Sequence, residues 1–525
     1  MGAWTQRVTA LLHHPALVPL RRRWRRLPPF LQHLVKSLGI GIVAALLLHV
    51  ARPYVPGLAG AETAATDWAI KFWQDRLDTA RAAEERFVFL DIDEATHRAW
   101  GEPLFVPRDK LLSLIQFAAD APAKLLVVDI ELTKHVPLAV RAAGSEAAPA
   151  PSEGPDEALT AYLRRYSDRT GTTGTGTTGT AAPAAAPQPT HILIARTIGL
   201  PLRADAAASA ENPETSSGFL REERPSELLE AIVERSEVLH WASPLSDRDD
   251  DGLVRNWRLF EPTCLRRSPH AVPSVALLSW AIVRTPMLSN GVFSPNEFQN
   301  ELQRRFAPSP QDCGEGAASS PAAPSNFWRL YDGVLAKPVT LSTKPSHLEQ
   351  RIFYKFHPST SLAGQLSRIS ARLITEREAG RPLSREWIAG KIVVIGGSFE
   401  SGKDMHATPI GDMPGAVVVI NQINALMEFG QFQELSRGIR WTGLLLLIAV
   451  FSLSFSLFTK TWGARVSTLV VNAVLLPLSL WLFQYGWWLD LVFPLFVLQA
   501  YQKFVDIEIA PQPLIRRHRH ADERT

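Results

Sequence analysis

Four stretches of the chain are apolar over close to the length a bilayer demands, about 20 residues per helix. They are Leu31–Val50, Ile439–Phe458, Val466–Phe483 and Leu491–Val505. The first has an uncharged core, Leu38–Val50, and the third is broken only by Asn472 and Pro477. The fourth is the shortest and carries Pro494, Gln499 and Lys503. Trp441, Trp462, Trp481, Trp487 and Trp488 fall near the ends, where amphipathic rings settle. The pattern predicts one N-terminal transmembrane helix at 31–51 and three C-terminal ones at 439–458, 466–485 and 489–507. A cleaved signal peptide fits the first segment poorly. Its basic region is long, and Arg52-Pro53-Tyr54 follows where small residues should mark a cleavage site.

Between these segments, over 52–438, the pattern shortens to buried runs separated by helical spacing. Phe87–Asp93 is a compact apolar strand that turns acidic at its end. Pro107 then opens a helix whose Leu111, Leu112, Leu114, Ile115 and Ala118 recur on one face. Lys124–Ile130 is a second buried strand, so the unit reads as a parallel pair with a right-handed crossover. Lys391–Gly397 is a third such strand, ending in glycines, and Gly415–Phe429 reads as a helix. Further strands are expected at His191–Thr197, Val238–Ala242, Leu253–Phe260 and Arg351–His357, with a helix at Val275–Val283. The fold class is therefore an α/β mixed-sheet domain flanked by transmembrane helices. Two inserts, near 141–190 and 307–325, are rich in Gly, Thr, Ala, Pro and Ser; both are expected to be flexible.

Charge orients these parts. The 525-residue chain has a formal net charge of +3 and a mean hydropathy of −0.01. Residues 1–36 carry seven Lys/Arg and no acid, while residues 37–439 carry a formal −7. That balance excludes a basic nucleic-acid surface. Arg21–Arg26 precedes the first helix, and Lys460 and Arg465 lie in the loop between the second and third, so both should be cytoplasmic. The Gln484–Asp490 loop has no Lys or Arg and should face outward, and the tail 508–525, with Arg516, Arg517 and Arg519, should return to the cytoplasm. Arg437 and Arg440 dissent. The expected arrangement is a basic cytoplasmic N-terminus over 1–30, a large outer domain and a cytoplasmic C-terminus.

Two cysteines, Cys264 and Cys313, exclude a disulfide-dense scaffold and a cysteine-based zinc cluster. They either form one disulfide or remain as thiols. Parallel α/β sheets place ligand sites at the carboxyl ends of their strands. Asp91, Asp93 and Asp129 end two strands there, and Ser398 and Asp404 follow the third. If those strands adjoin, the carboxylates and nearby Arg108 form one rim suited to a small ligand or a hard cation. The alternative is that Asp91, Asp93 and Asp129 cap helices or pair with Arg108 or Arg255. Gly397–Lys403 resembles the opening of a phosphate loop, but Asp404 stands where Ser or Thr would hold magnesium. His97, His135, His240, His357 and His406 never recur at metal-ligand spacing, although His406 beside Asp404 is a candidate acid–base pair. No nucleophile–base set assembles, so no catalytic residue, enzyme activity or cofactor is expected.

Several blocks together give the chain a family likeness. Phe87–Asp93 with Trp100-Gly101 and Pro107-Arg108 is one; Val127–Ile130 is another. Asp249–Arg255, Gly390–Gly396, Thr408-Pro409 and Met413–Gly415 complete the set. In these blocks, and in the helices that follow, the chain resembles the type-2 CHASE family, extracytoplasmic sensory domains of bacterial receptors. Asn421-Gln422 stands where that family tends to have a His-Ala pair. The resemblance implies a multi-pass protein of the bacterial inner membrane with its large domain in the periplasm. Its expected partners are the lipid bilayer, an unidentified small ligand, and a separate membrane or cytoplasmic output protein or a second copy. The output is placed in trans because the residues after the last helix are too few to build a domain. Ser467, Asn472, Ser479 and Gln499 would be polar handles for helix pairing, or would satisfy one another. The alternative function is a structural or assembly subunit of an envelope complex.

Overall fold

The computed structural model describes residues 26–51, 54, 56–74, 86–135, 154–171, 189–199, 221–286, 293–309, 313, 327–343, 349–357, 366–376, 384–402, 404–458 and 460–489. Two compact units divide the chain, one over 70–432 and one formed by 1–69 with 433–525.

The 70–432 unit is built on a six-stranded sheet. Its strands are β1 (Phe87–Ile92), β2 (Leu125–Val128), β3 (His191–Ala195), β4 (Leu239–Ala242), β5 (Ser367–Ser370) and β6 (Ile392–Gly397). Their order is β5-β1-β6-β2-β3-β4, and every neighbouring pair is parallel. Apolar runs produce this because strands of a parallel sheet are covered on both faces. The helices used below are α1 (Glu94–Ala99), α2 (Arg108–Asp120), α3 (Pro155–Gly171), α4 (Val275–Arg284), α5 (Pro295–Phe306) and α6 (Gly415–Glu428). Val88, Leu90, Ile92, Leu126, Val128, Val393 and Ile395 face α2 and α3 through Leu111, Leu114, Leu159 and Leu163 in one core. The alternate residues face α4 and α6. Gly396 is required there, because a Cβ on it would collide with Ala416 in the first turn of α6.

Two expectations change. The insert near 141–190 contains α3, a helix rather than a flexible tract, because Leu159 and Leu163 are fully buried in the core and Tyr166 donates to the Thr190 carbonyl at 2.8 Å. Its remaining parts, 141–153 and 172–188, lie outside the described residues, as does most of 307–325. Arg351–His357 is not a strand; among the described residues it meets its neighbour at an isolated bridge, Arg351–Asn256, where the Ile352 amide donates to the Arg255 carbonyl at 2.7 Å. The fully buried carboxamide of Asn421, on α6, replaces the missing strand partner. Its Oδ1 accepts from the Lys355 and Phe356 amides at 2.8 and 2.9 Å, and its Nδ2 donates to the Phe356 carbonyl at 3.0 Å. Cys264 and Cys313 are joined by a disulfide.

In the other unit, three helices among the described residues are long and apolar enough to cross a membrane: Pro29–Leu47, Gly438–Leu457 and Arg465–Phe483. The expected helix at 489–507, past Leu489, and the tail 508–525 lie outside the described residues. The first two helices run antiparallel. The His49 ring meets Trp441 edge-on at 5.1 Å, and Ala45 packs with Leu444 and Ile448. The third turns back, widening to a π-helical stretch at Val471–Leu475 just before Pro477, whose missing amide cannot continue the ladder. Gln433–Glu434 then pairs in parallel with Trp487–Trp488. One end of the bundle therefore gathers the end of the first helix, the start of the second and the end of the third. Lys460 and Arg465 sit at the opposite turn. Ser479 donates to the Leu489 carbonyl at 3.0 Å, while the Ser452 and Ser467 hydroxyls are buried without a hydrogen-bond partner among the described residues.

Candidate functional site

The register β5-β1-β6-β2 brings the acidic strand ends together, as the sequence required of a shared rim. Asp91 lies opposite Gly396, and the Asp129 amide donates to the Ile395 carbonyl at 2.9 Å. The residues on this rim nevertheless do different things.

Asp91 is fully buried and ion-paired with Arg368 from β5. Ser398 donates to Asp91 Oδ2 at 3.0 Å and accepts from Arg368 Nη2 at 2.8 Å. Burial raises the Asp91 carboxyl above its usual range, and the Arg368 charge and the Ser398 hydroxyl oppose that rise. The other carboxyl oxygen, Oδ1, is buried with no hydrogen-bond partner among the described residues. Arg368 escaped the sequence reading, since nothing local ties it to a carboxylate 277 residues away.

Asp93 lies just past β1 and is the N-cap of α1, accepting from the Thr96 amide at 2.8 Å and its hydroxyl at 2.6 Å. Burial works against ionisation, but those two bonds hold the carboxyl below its ordinary value. Its role is the cap, one of the two alternatives open at the outset.

Arg108 is not a partner of the rim carboxylates. Its Nε pairs with Asp156 Oδ1 of α3 at 3.3 Å, and Nη2 donates to the Lys134 carbonyl at 3.4 Å. Arg255 is likewise occupied, by Asp249 at 2.8 Å and Asp251 at 2.6 Å.

The remaining carboxylates form a second cluster at the end of β2. Asp404 leads into the turn before α6, where its carbonyl accepts from the Gly415 amide at 2.9 Å. A Cβ on Gly415 would strike the Asp404 carboxylate, so glycine lets the acid sit over the first turn of the helix. Arg248 donates to His406 Nδ1 at 3.2 Å, which leaves His406 Nε2–H to donate to Asp404 Oδ1 at 3.0 Å. Asp129 is half-buried, and its carboxylate makes no hydrogen bond among the described residues. Burial, reinforced by the Asp404 charge and opposed by His406, pushes it up to about 7. An acid of that pKa exchanges its proton near neutrality, and an arriving cation or hydrogen-bond donor would ionise it.

Among the described residues, no group of three or more His, Cys, Asp or Glu side chains is arranged to hold a metal ion. His240 does find a histidine the spacing did not reveal. His191, on the neighbouring strand, lies with Nδ1 3.2 Å from His240 Nε2. Burial pulls the pair down to about 4 and about 3, so both rings are neutral at physiological pH. Lys403 of the phosphate-loop-like stretch lies outside the described residues.

No curated protein and no solved structure matches the chain. The profile of the CHASE2 domain, a family of extracytoplasmic sensory domains, matches residues 40–457. That span takes in the parallel sheet, both rim clusters, the latter part of the first apolar helix and the whole of the second, and so the chain, a membrane protein with an extracytoplasmic sensory domain, belongs to the CHASE2 family.

Proposed function

We propose that the protein is a membrane-anchored sensor whose outer domain binds a small cationic or hydrogen-bond-donating ligand at the Asp129–Asp404–His406 end of the rim. The observation that carries this reading is the Asp129 carboxylate: half-buried, without a hydrogen bond among the described residues, and adjacent to a second acid. The Asp91 end is already neutralised by Arg368 and serves the fold.

The protein sits in the bacterial inner membrane with the outer domain in the periplasm and both termini cytoplasmic. Two features support this orientation. Arg21–Arg26 and the Lys460/Arg465 turn share one sign, and the end of the bundle away from that turn gathers the segments that flank the outer domain. Ligand binding is passed to the membrane helices and on to a separate output protein or a second copy. The Ser452 and Ser467 hydroxyls, buried without a hydrogen-bond partner among the described residues, support a bundle that can repack. The protein acts by binding and carries out no catalysis.

Thermal melts of the full-length protein in detergent, against a panel of small amines and other hydrogen-bond donors, test the reading. At least one compound should raise the melting temperature of the wild type, because a ligand of the folded state stabilises it. Asp129→Asn should abolish that shift. A panel without effect, or a shift retained in the variant, counts against the site.

A further inference from the structure

Beyond the rim, the outer unit carries an apolar hairpin at the place where the chain leaves it. The strands Phe327–Asp332 and Lys337–Ser342 pair antiparallel, with Trp328 opposite Leu341. Burial alternates along the first strand. Trp328 points inward and stacks on Phe298 of α5 at 4.9 Å, while Phe327, Arg329 and Tyr331 face outward. The tip continues the outward face. Val334 is 58% exposed and Leu335 47%, two aliphatic residues where a soluble hairpin would place polar ones.

This tip is held firmly. Asp332 Oδ1 accepts from the Val334 and Leu335 amides at 2.9 and 2.7 Å, and the Gly333 amide donates to the Arg284 carbonyl at 3.1 Å. Arg284 in turn donates to the Met427 carbonyl in the last turn of α6 at 2.9 Å. At the other end of the hairpin, Gln431 Nε2 donates to the Ser342 carbonyl at 2.9 Å. Both ends are thus tied to residues 427–431. The helix that begins at Arg437 follows six residues after Gln431, a contour of at most about 20 Å.

The charges on the hairpin are one-sided. Arg329 and Lys337 are exposed, and its acid, Asp332, is buried 3.8 Å from Arg284. Exposed aliphatic and aromatic residues flanked by cations, close along the chain to a spanning helix, have the chemistry of an interfacial anchor. We propose that the Val334–Leu335 tip dips into the surface of the bilayer that the chain's own helices cross, with Tyr331 at headgroup level and Arg329 and Lys337 against lipid phosphates.

The test uses the full-length protein in nanodiscs of phosphatidylethanolamine and phosphatidylglycerol. Spin labels are placed in turn through V334C and L335C, the native cysteines being joined. L104C, at an exposed site elsewhere on the unit, serves as control, and each variant must keep the wild-type melting temperature in detergent. The two tip labels should be more accessible to oxygen than to an aqueous nickel chelate, and the L104C label the reverse. The proposal is overturned if both tip labels remain open to the nickel chelate in nanodiscs. It is equally overturned if they are shielded from both reagents only when two copies share a disc, since the tip would then be a protein interface.

Discussion

Asp91 and Arg368 meet at the seam of β1 and β5, the carboxylate fully buried and the guanidinium 42% exposed at the rim. Removing the arginine strands a buried charge with only the Ser398 hydroxyl to support it. Breaking a buried pair costs about 3–5 kcal/mol, and the exposure of Arg368 lowers the expectation to about 2–3 kcal/mol for Arg368→Ala. The folded-state pKa of Asp91 is already raised, so its ionisation costs stability as pH rises through that value. The loss in Arg368→Ala should therefore be larger at pH 7.5 than at pH 4.5, as read by urea unfolding through tryptophan fluorescence. A loss independent of pH would separate Arg368 from the Asp91 charge.

Asp129 gives the cleaner pH dependence. Its folded pKa is about 7, against about 3.9 in an unfolded chain. The folded state therefore holds a proton that the unfolded state releases. The resulting stability is complete below about pH 4 and lost as pH rises towards 7. Asp129→Asn cannot ionise, so its melting temperature should rise relative to wild type between pH 5 and pH 8. A constant difference would mean that Asp129 is ionised throughout.

Asn421 replaces a strand partner, so its loss should be costly. Asn421→Ala leaves the Lys355 and Phe356 amides and the Phe356 carbonyl buried without their partner. At about 1–3 kcal/mol for each unsatisfied group, partly relieved by relaxation, we expect a loss of about 2–4 kcal/mol. Urea unfolding checks this, and a loss below about 1 kcal/mol would show that water or another group takes over.

These cases show what the sequence could and could not disclose. β1, β2 and β6 were legible because a strand covered on both faces is a short continuous apolar run. Their adjacency was only a condition until the register placed Asp91 beside Gly396. Asp93 and Asp129 looked alike in the sequence, yet one caps α1 and the other makes no hydrogen bond among the described residues. The difference is set by Thr96 in one case and by Asp404, far along the chain, in the other. Helix α3 was missed because Leu159 and Leu163 are sparse apolar residues in a polar segment beside a Thr/Gly tract. With α3 unseen, Arg108 lost its true partner, Asp156. Arg351–His357 has the composition of a strand, but its Lys355 and Phe356 backbone groups are met by the Asn421 side chain rather than by a neighbouring strand, which no local pattern encodes.

The disulfide joins Cys264, in the strand Phe260–Leu265, to Cys313 of the 307–325 insert, 49 residues further along the chain. In the chain-entropy account such a cross-link restricts the unfolded state by about 3–4 kcal/mol. Cys264→Ser with Cys313→Ser should lose about 2–4 kcal/mol. Protein unfolded without reductant should show no free thiol. Two titratable thiols would mean that the bond does not form in the cell.

The central claim is that the parallel sheet and its acidic rim lie outside the membrane, between the first and second helices. Reporter fusions after Gly171, in the outer unit, and after Phe458, in the turn between the second and third helices, test it most directly. Alkaline phosphatase should be active only in the Gly171 fusion, and green fluorescent protein should fluoresce only in the Phe458 fusion. If both positions report the same compartment, the sheet and the Lys460/Arg465 turn share one side of the membrane, and the account of an extracytoplasmic sensor is contradicted.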